Sequence, residues 1–100
     1  MTECFPPEAQ SQDLFLGGRL RLAQPREGYR AAADPVLLAA ACSARPGQAV
    51  LELGCGVGVA SLCLGSRVPG LSLSGLELQP AYAALARQNA ATTGIAFEVH

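Results

Sequence analysis

The sequence has no lysine, and its seven basic side chains are all arginine. Eight acids offset them and leave a formal charge of −1, so the overall balance does not announce a nucleic-acid partner. Histidine occurs once, at His100. The cysteines, Cys4, Cys42, Cys55 and Cys63, form no C-x-x-C pair, which removes the usual zinc patterns and a disulfide framework. Unpaired thiols fit a reducing cytosol, and a cytoplasmic location is expected. No apolar run is long enough to span a bilayer. Met1 to Gln12 lacks the apolar core of a signal peptide. Internal repeats and charge runs are also missing.

What the sequence does have is apolar residues, at 50%. They converge on Val50-Leu51-Glu52-Leu53-Gly54-Cys55-Gly56-Val57-Gly58. A short apolar strand runs into a glycine turn, and Val59 opens a helical pattern. Glycines at 54, 56 and 58 tolerate positive φ and let backbone approach a ligand. Strand, glycine turn and helix in that order form the ligand crevice of a doubly wound α/β sheet.

The acids decide between ligands. A dinucleotide rests its pyrophosphate on the helix N-terminus beyond such a turn, and Glu52 would repel it. The dinucleotide fingerprint also wants a small residue where Val59 stands. A cation suits Glu52 better. Leu71 to Glu77 reads as the next strand and ends in a second acid, at the distance where ribose hydroxyls are received. One carboxylate accepts two hydrogen bonds, which suits a vicinal diol. S-adenosylmethionine has a sulfonium, an ammonium, a ribose diol and no phosphate. Taken singly, the turn has a blander reading as a tight connection, and Glu77 as a solvated strand end. Cys55 reads as a small side chain beside the ligand, because no base is in view to make it a nucleophile.

Along the chain, residues 1–12 are expected to be a disordered tail, with Pro6-Pro7. Residues 13–33 read as a hairpin and loop. Leu14 to Leu16 and Arg19 to Leu22 are its strands, and Gly17-Gly18 its two-residue turn. Residues 34–100 read as the N-terminal half of a donor-binding domain. Asp34 is the expected N-cap of a helix through Ala44, with Pro35 at its first position. That helix is nearly all apolar and is expected to be buried against the sheet. Gln48 to Leu53, Leu71 to Glu77 and Ile95 to Val99 are the expected strands. Helices follow Gly58 and Pro80, and strand–helix alternation predicts a parallel sheet. Arg19, Arg21, Arg26 and Tyr29 form a basic stretch with an aromatic, a candidate contact for an RNA backbone and a base. Its bland reading is a solvated strand face.

These motifs resemble those of the class I S-adenosylmethionine-dependent methyltransferases: Glu52-Leu53-Gly54-Cys55-Gly56-Val57-Gly58, then Glu77. A narrower resemblance runs from Asp13 through Gly17-Gly18-Arg19-Leu20, Gln24-Pro25, Gly28-Tyr29-Arg30 and Asp34-Pro35-Val36-Leu37-Leu38. It is to the bacterial adenine-N6 methyltransferases of valine tRNA. The resemblance implies a Rossmann-like α/β fold, S-adenosyl-L-methionine as cofactor and tRNA as substrate. It implies a donor site of Glu52, Gly54, Cys55, Gly56, Glu77 and Leu78, with Arg30 and Asp34 at the methionyl end. It also implies catalysis by an Asn-Pro-Pro-Tyr motif after a fourth strand. No such motif occurs here, so no catalytic residue is named. The expectation is the N-terminal part of a larger enzyme, inactive alone, with about three core strands and an open sheet edge prone to self-association. A class I enzyme acting on rRNA, protein glutamine or a small molecule stays open, as does a non-catalytic cofactor-binding fragment. A nicotinamide oxidoreductase is disfavoured by Glu52 and Val59.

Overall fold

The computed structural model describes residues 4–100, so the start of the expected tail lies outside the described residues. The remainder of that tail is corrected. A 3₁₀ turn over Pro7–Ala9 leads directly into β1 (Gln10–Phe15), antiparallel to β2 (Leu20–Pro25). The first half of β1 has no β-branched or aromatic residue, which hides it from pattern reading. Its polar groups are instead used. Gln10 and Gln88 exchange side-chain hydrogen bonds at 3.0 and 3.5 Å, and the Ser11 hydroxyl donates to Asp13 at 2.8 Å. The turn is longer than Gly-Gly. Phe15 pairs with Leu20, which leaves Leu16, Gly17, Gly18 and Arg19 in the loop. Leu16 itself takes a positive φ of 55°, a conformation that opposes any side chain.

After β2, a strap over residues 26–32 leads into α1 (Ala33–Ala41). Asp34 is not its N-cap. Ala32 holds that position, and Asp34 sits in the first turn, where a carboxylate suits the helix dipole. The expected burial is corrected as well. Ala39 is the buried residue of α1, while Leu37 and Leu38 are 64% and 59% exposed. The helix packs sideways on α2 (Val59–Arg67), not flat on the sheet. Arg67 closes its far end, donating to the carbonyls of Ala39 and Cys42 at 2.9 and 2.7 Å.

The remaining elements are β3 (Ala49–Leu53), β4 (Ser72–Leu76), α3 (Pro80–Thr93) and β5 (Phe97–Val99). The strands form one parallel sheet in the order β3-β4-β5, as strand–helix alternation requires. Gly94 ends α3 with φ 72°. Leu22, Leu62, Leu85 and Phe97 centre the core, and α2 is buried from Val59 to Leu64. Gly75 in β4 has no room for a side chain. A Cβ there would lie 2.8 Å from both the Cys55 sulfur and the Phe97 ring. That close approach lets the glycine turn lie against the neighbouring strand.

The hairpin is fastened to this unit by Asn89 of α3, which is 1% exposed. Its carbonyl oxygen accepts from the Ala23 N–H at 2.8 Å. Its amide donates to the carbonyls of Ala23 and Val57, both at 3.0 Å. One side chain thus joins β2, α3 and the glycine turn. Among the described residues no helix is long and apolar enough to cross a membrane.

Candidate functional site

The ends of β3 and β4 open onto a cavity of about 260 Å³. Glu52, Gly54, Cys55 and Gly56 form one side, and Glu77 and Gln79 another. Tyr29, Ala31 and Pro35 wall it from the strap and α1, with Tyr82 of α3 behind them. Gly54 and Gly56 have φ of 67° and 57°, and a Cβ built at either meets nothing within 4 Å. The space over the turn is therefore open to a ligand lying on bare backbone.

Glu77 is held from both sides. Its Oε1 accepts the Gly56 N–H at 2.8 Å, and its Oε2 accepts the Gln79 N–H at 3.0 Å. The carboxylate thereby bridges the glycine turn and the start of α3. Each oxygen keeps a further lone pair for a hydroxyl donor.

Glu52 faces the first turn of α2. The Ser61 hydroxyl donates to its Oε1 at 2.6 Å. The N-cap of α2 is Gly58, which offers no capping side chain, so Glu52 from β3 supplies the negative charge that a helix start favours. Burial pushes the Glu52 carboxyl above its usual value, against the pull of the Ser61 hydroxyl and amide. Glu52 attracts a cation only when ionised, so affinity falls as pH drops through its raised pKa. We expect this loss to begin above the ordinary glutamate range, and Glu52→Gln to remove it. Calorimetric titration with S-adenosylmethionine across acid pH measures both, and a wild-type profile parallel to that of the Gln variant would refute the assignment.

Cys55 lies between these acids. Burial, reinforced by the Glu52 and Glu77 charges, pushes its thiol up to about 11. A thiol protonated at neutral pH is a poor nucleophile, and this one is 5% exposed and packed against Gly75. Among the described residues no cluster of His, Cys, Asp or Glu is arranged to hold a metal.

Other sequence candidates fall elsewhere. Leu78 is 88% exposed. It lines a shallow apolar cleft with Leu53, Leu76 and His100, which shares Gly54 and Glu77 with the main cavity. Arg30 and Asp34 do not line the cavity. The Arg30 guanidinium is drawn to the hairpin, donating to Ser11 at 2.8 Å, the Pro25 carbonyl at 2.7 Å and Asp13 at 3.1 Å. Burial pushes the Asp13 carboxyl up, but hydrogen bonds from Ser11 and Gln24 and the Arg30 charge outweigh it, so Asp13 titrates below its usual value. Asp34 is exposed on α1. Arg19, Arg21 and Arg26 are exposed along the hairpin and its exit, and Arg26 also donates to the Glu8 carbonyl at 3.1 Å. Tyr29 reaches the cavity with 66% of its surface exposed. Sequence reasoning missed Tyr82 and Gln79 at the site. Tyr82 lies on the apolar stripe of α3, where its ring reads as core, and its hydroxyl is the signal that marks it out.

Over 80 residues the chain is 35% identical to a tRNA1(Val) (adenine(37)-N6)-methyltransferase from Yersinia enterocolitica; the match takes in 79% of this chain and 32% of that protein. A crystal structure of a SAM-dependent methyltransferase from Agrobacterium tumefaciens shares the fold with a TM-score of 0.65 at 18% identity. That alignment covers 95% of this chain and 34% of the other. No protein-family profile matches the chain. The chain thus spans about a third of the length of the proteins it is similar to. In sequence and in fold, it resembles the N-terminal part of a class I S-adenosylmethionine-dependent methyltransferase.

Proposed function

We propose that the cavity binds S-adenosyl-L-methionine and that the chain is the donor-binding portion of a methyltransferase. One observation carries this reading. The cavity lining holds two carboxylates, Glu52 and Glu77, over open backbone at Gly54 and Gly56, and includes no arginine. That combination repels a phosphate and favours a cation bearing a diol. When bound, the cofactor supplies a methyl group on a positively charged sulfur, already a good leaving group. Glu77 then receives the ribose hydroxyls, Glu52 places negative charge near the cationic end, and the glycine turn admits the donor at close range. A thermal-shift comparison tests the reading: S-adenosylmethionine is expected to raise the melting temperature and a nicotinamide dinucleotide to leave it unchanged. Stabilisation by the dinucleotide alone would overturn it.

For the acceptor, the Yersinia relative supports N6 of an adenine in tRNA. Tyr29, exposed at the cavity, is suited to stack on a base, and Arg19, Arg21 and Arg26 to meet the phosphate backbone. A tRNA acceptor and the free cysteines both fit a cytoplasmic setting. We expect the chain alone to bind donor without turnover.

We also propose that the chain self-associates through β3. Among the described residues β3 has one neighbour, β4. Leu51 and Leu53 on it are 56% and 73% exposed, and Leu51 lines a shallow cleft with Leu38 of α1. An apolar strand with a free edge recruits other strands. Sedimentation should show mass rising with concentration, and Leu51→Lys with Leu53→Lys should return the chain to monomer. A monomer at all concentrations would remove this reading.

A further inference from the structure

The strap over residues 26–32 forms one wall of the cavity, yet most of its hydrogen bonds lead away from it. Arg26 bonds to Glu8 and Ala9, and Arg30 to Ser11, Asp13 and Pro25. The Ala31 N–H donates to Gln24 at 2.7 Å. All those partners belong to the N-terminal segment and the hairpin. Among the described residues, the strap's one hydrogen-bonded tie to the sheet-and-helix unit is Tyr82. Its hydroxyl oxygen accepts the Tyr29 N–H at 2.9 Å, and the hydroxyl lies 3.4 Å from the Tyr29 carbonyl, which accepts from it. The Tyr82 ring is braced edge-on by Phe5, with centroids 5.3 Å apart and planes at 87°. Residue 28 is matched to this contact. Gly28 has φ 105°, and a Cβ there would stand 2.8 Å from the Tyr82 hydroxyl.

We propose that Tyr82 is a positioning residue for the methyl donor. Its hydroxyl latches the strap across the cavity, so that Tyr29 and Ala31 make a fixed wall for the donor to pack against. This rests on the reading of the cavity as the S-adenosylmethionine site. The latch is separate from the Asn89 joint. Asn89 holds the hairpin through Ala23, and Tyr82 holds the strap two helical turns earlier on α3. Losing the latch frees the strap without undocking the hairpin. The donor must then bind a site whose wall is formed only part of the time, and apparent affinity falls by that fraction.

The test uses the full 100-residue chain and S-adenosylmethionine as the probe. Tyr82→Phe removes one oxygen and keeps the ring. It removes both hydrogen bonds to Tyr29, the one at 3.4 Å being weak, and is expected to weaken binding about two- to tenfold, the range that one good neutral hydrogen bond spans. The Tyr29 amide should exchange with deuterium faster, while the Ala23 amide stays protected. Gly28→Ala, which crowds the hydroxyl from the strap side, should give the same pair of changes and serves if the Phe variant folds poorly. Unchanged affinity with a faster Tyr29 amide would overturn the proposal, and so would an unchanged Tyr29 amide. A wild-type chain that fails to bind, while its Tyr29 amide still responds to Tyr82→Phe, would overturn the donor-site reading and with it the latch's role.

Discussion

Glu77→Ala is expected to weaken S-adenosylmethionine binding tenfold or more. Three losses coincide in this one side chain. The charge goes, the oxygens proposed to receive the ribose diol go, and the Gly56 and Gln79 N–H groups lose the carboxylate that holds them. Tenfold corresponds to about 1.4 kcal/mol, and a single hydrogen bond to a charged group already contributes about 1.5–3 kcal/mol. Tenfold is therefore a floor. Glu77→Gln separates the parts, because the amide oxygen keeps one of the two N–H groups and can still meet a hydroxyl. Calorimetry should rank the proteins wild type, Gln, then Ala. Equal affinity in wild type and Ala would mean that the ligand does not lie across Glu77, and the assignment of the site would fall.

Asn89→Leu is expected to be strongly destabilising. The residue is 1% exposed and makes three hydrogen bonds to backbone. Leucine is similar in size, so the cost is electrostatic and not a cavity. The Ala23 N–H and the carbonyls of Ala23 and Val57 would be left unpaired in the interior. Each unsatisfied buried group costs about 1–3 kcal/mol, so a total of about 3 kcal/mol or more is expected. For a domain this small that lowers the melting temperature by about 10 °C or more. Thermal unfolding followed by circular dichroism measures it. A shift of a degree or two would show that the hairpin is held by apolar packing, with the amide contributing little.

Different parts of this molecule were legible in the sequence to different degrees. The glycine turn and Glu77 were plain because backbone geometry demands particular residues there, at Gly54, Gly56 and Gly58, whose φ values are all positive. The parallel strands were plain because apolar runs alternate with helical ones. Boundaries moved by a residue or two, as in β5, which begins at Phe97 and not Ile95. The hairpin was harder. Half of β1 is glutamine and serine, whose β-structure depends on partners such as Gln88, 78 positions away along the chain. The apolar composition of α1 was readable, but not its exposure, because burial depends on what lies opposite. The resemblance places Arg30 and Asp34 at the cavity, while the structure engages one with Asp13 and leaves the other on the helix surface. Asn89 and Tyr82 stand with Leu85 and Ala86 on the buried side of α3. A polar residue on such a stripe was the available sign of a buried joint.

The meeting of Tyr29 and Tyr82 has an optical consequence. The chain has no tryptophan, and these are its two tyrosines. Tyrosine emission, selected by exciting beyond the phenylalanine absorption, therefore originates at a single spot, the place where strap and helix touch beside the cavity. No indole is present to drain the phenols' excitation. A ligand settling there, or a phenol released to water, should alter intensity without any attached dye, so this chain comes with its own reporter at the position an experimenter would have chosen.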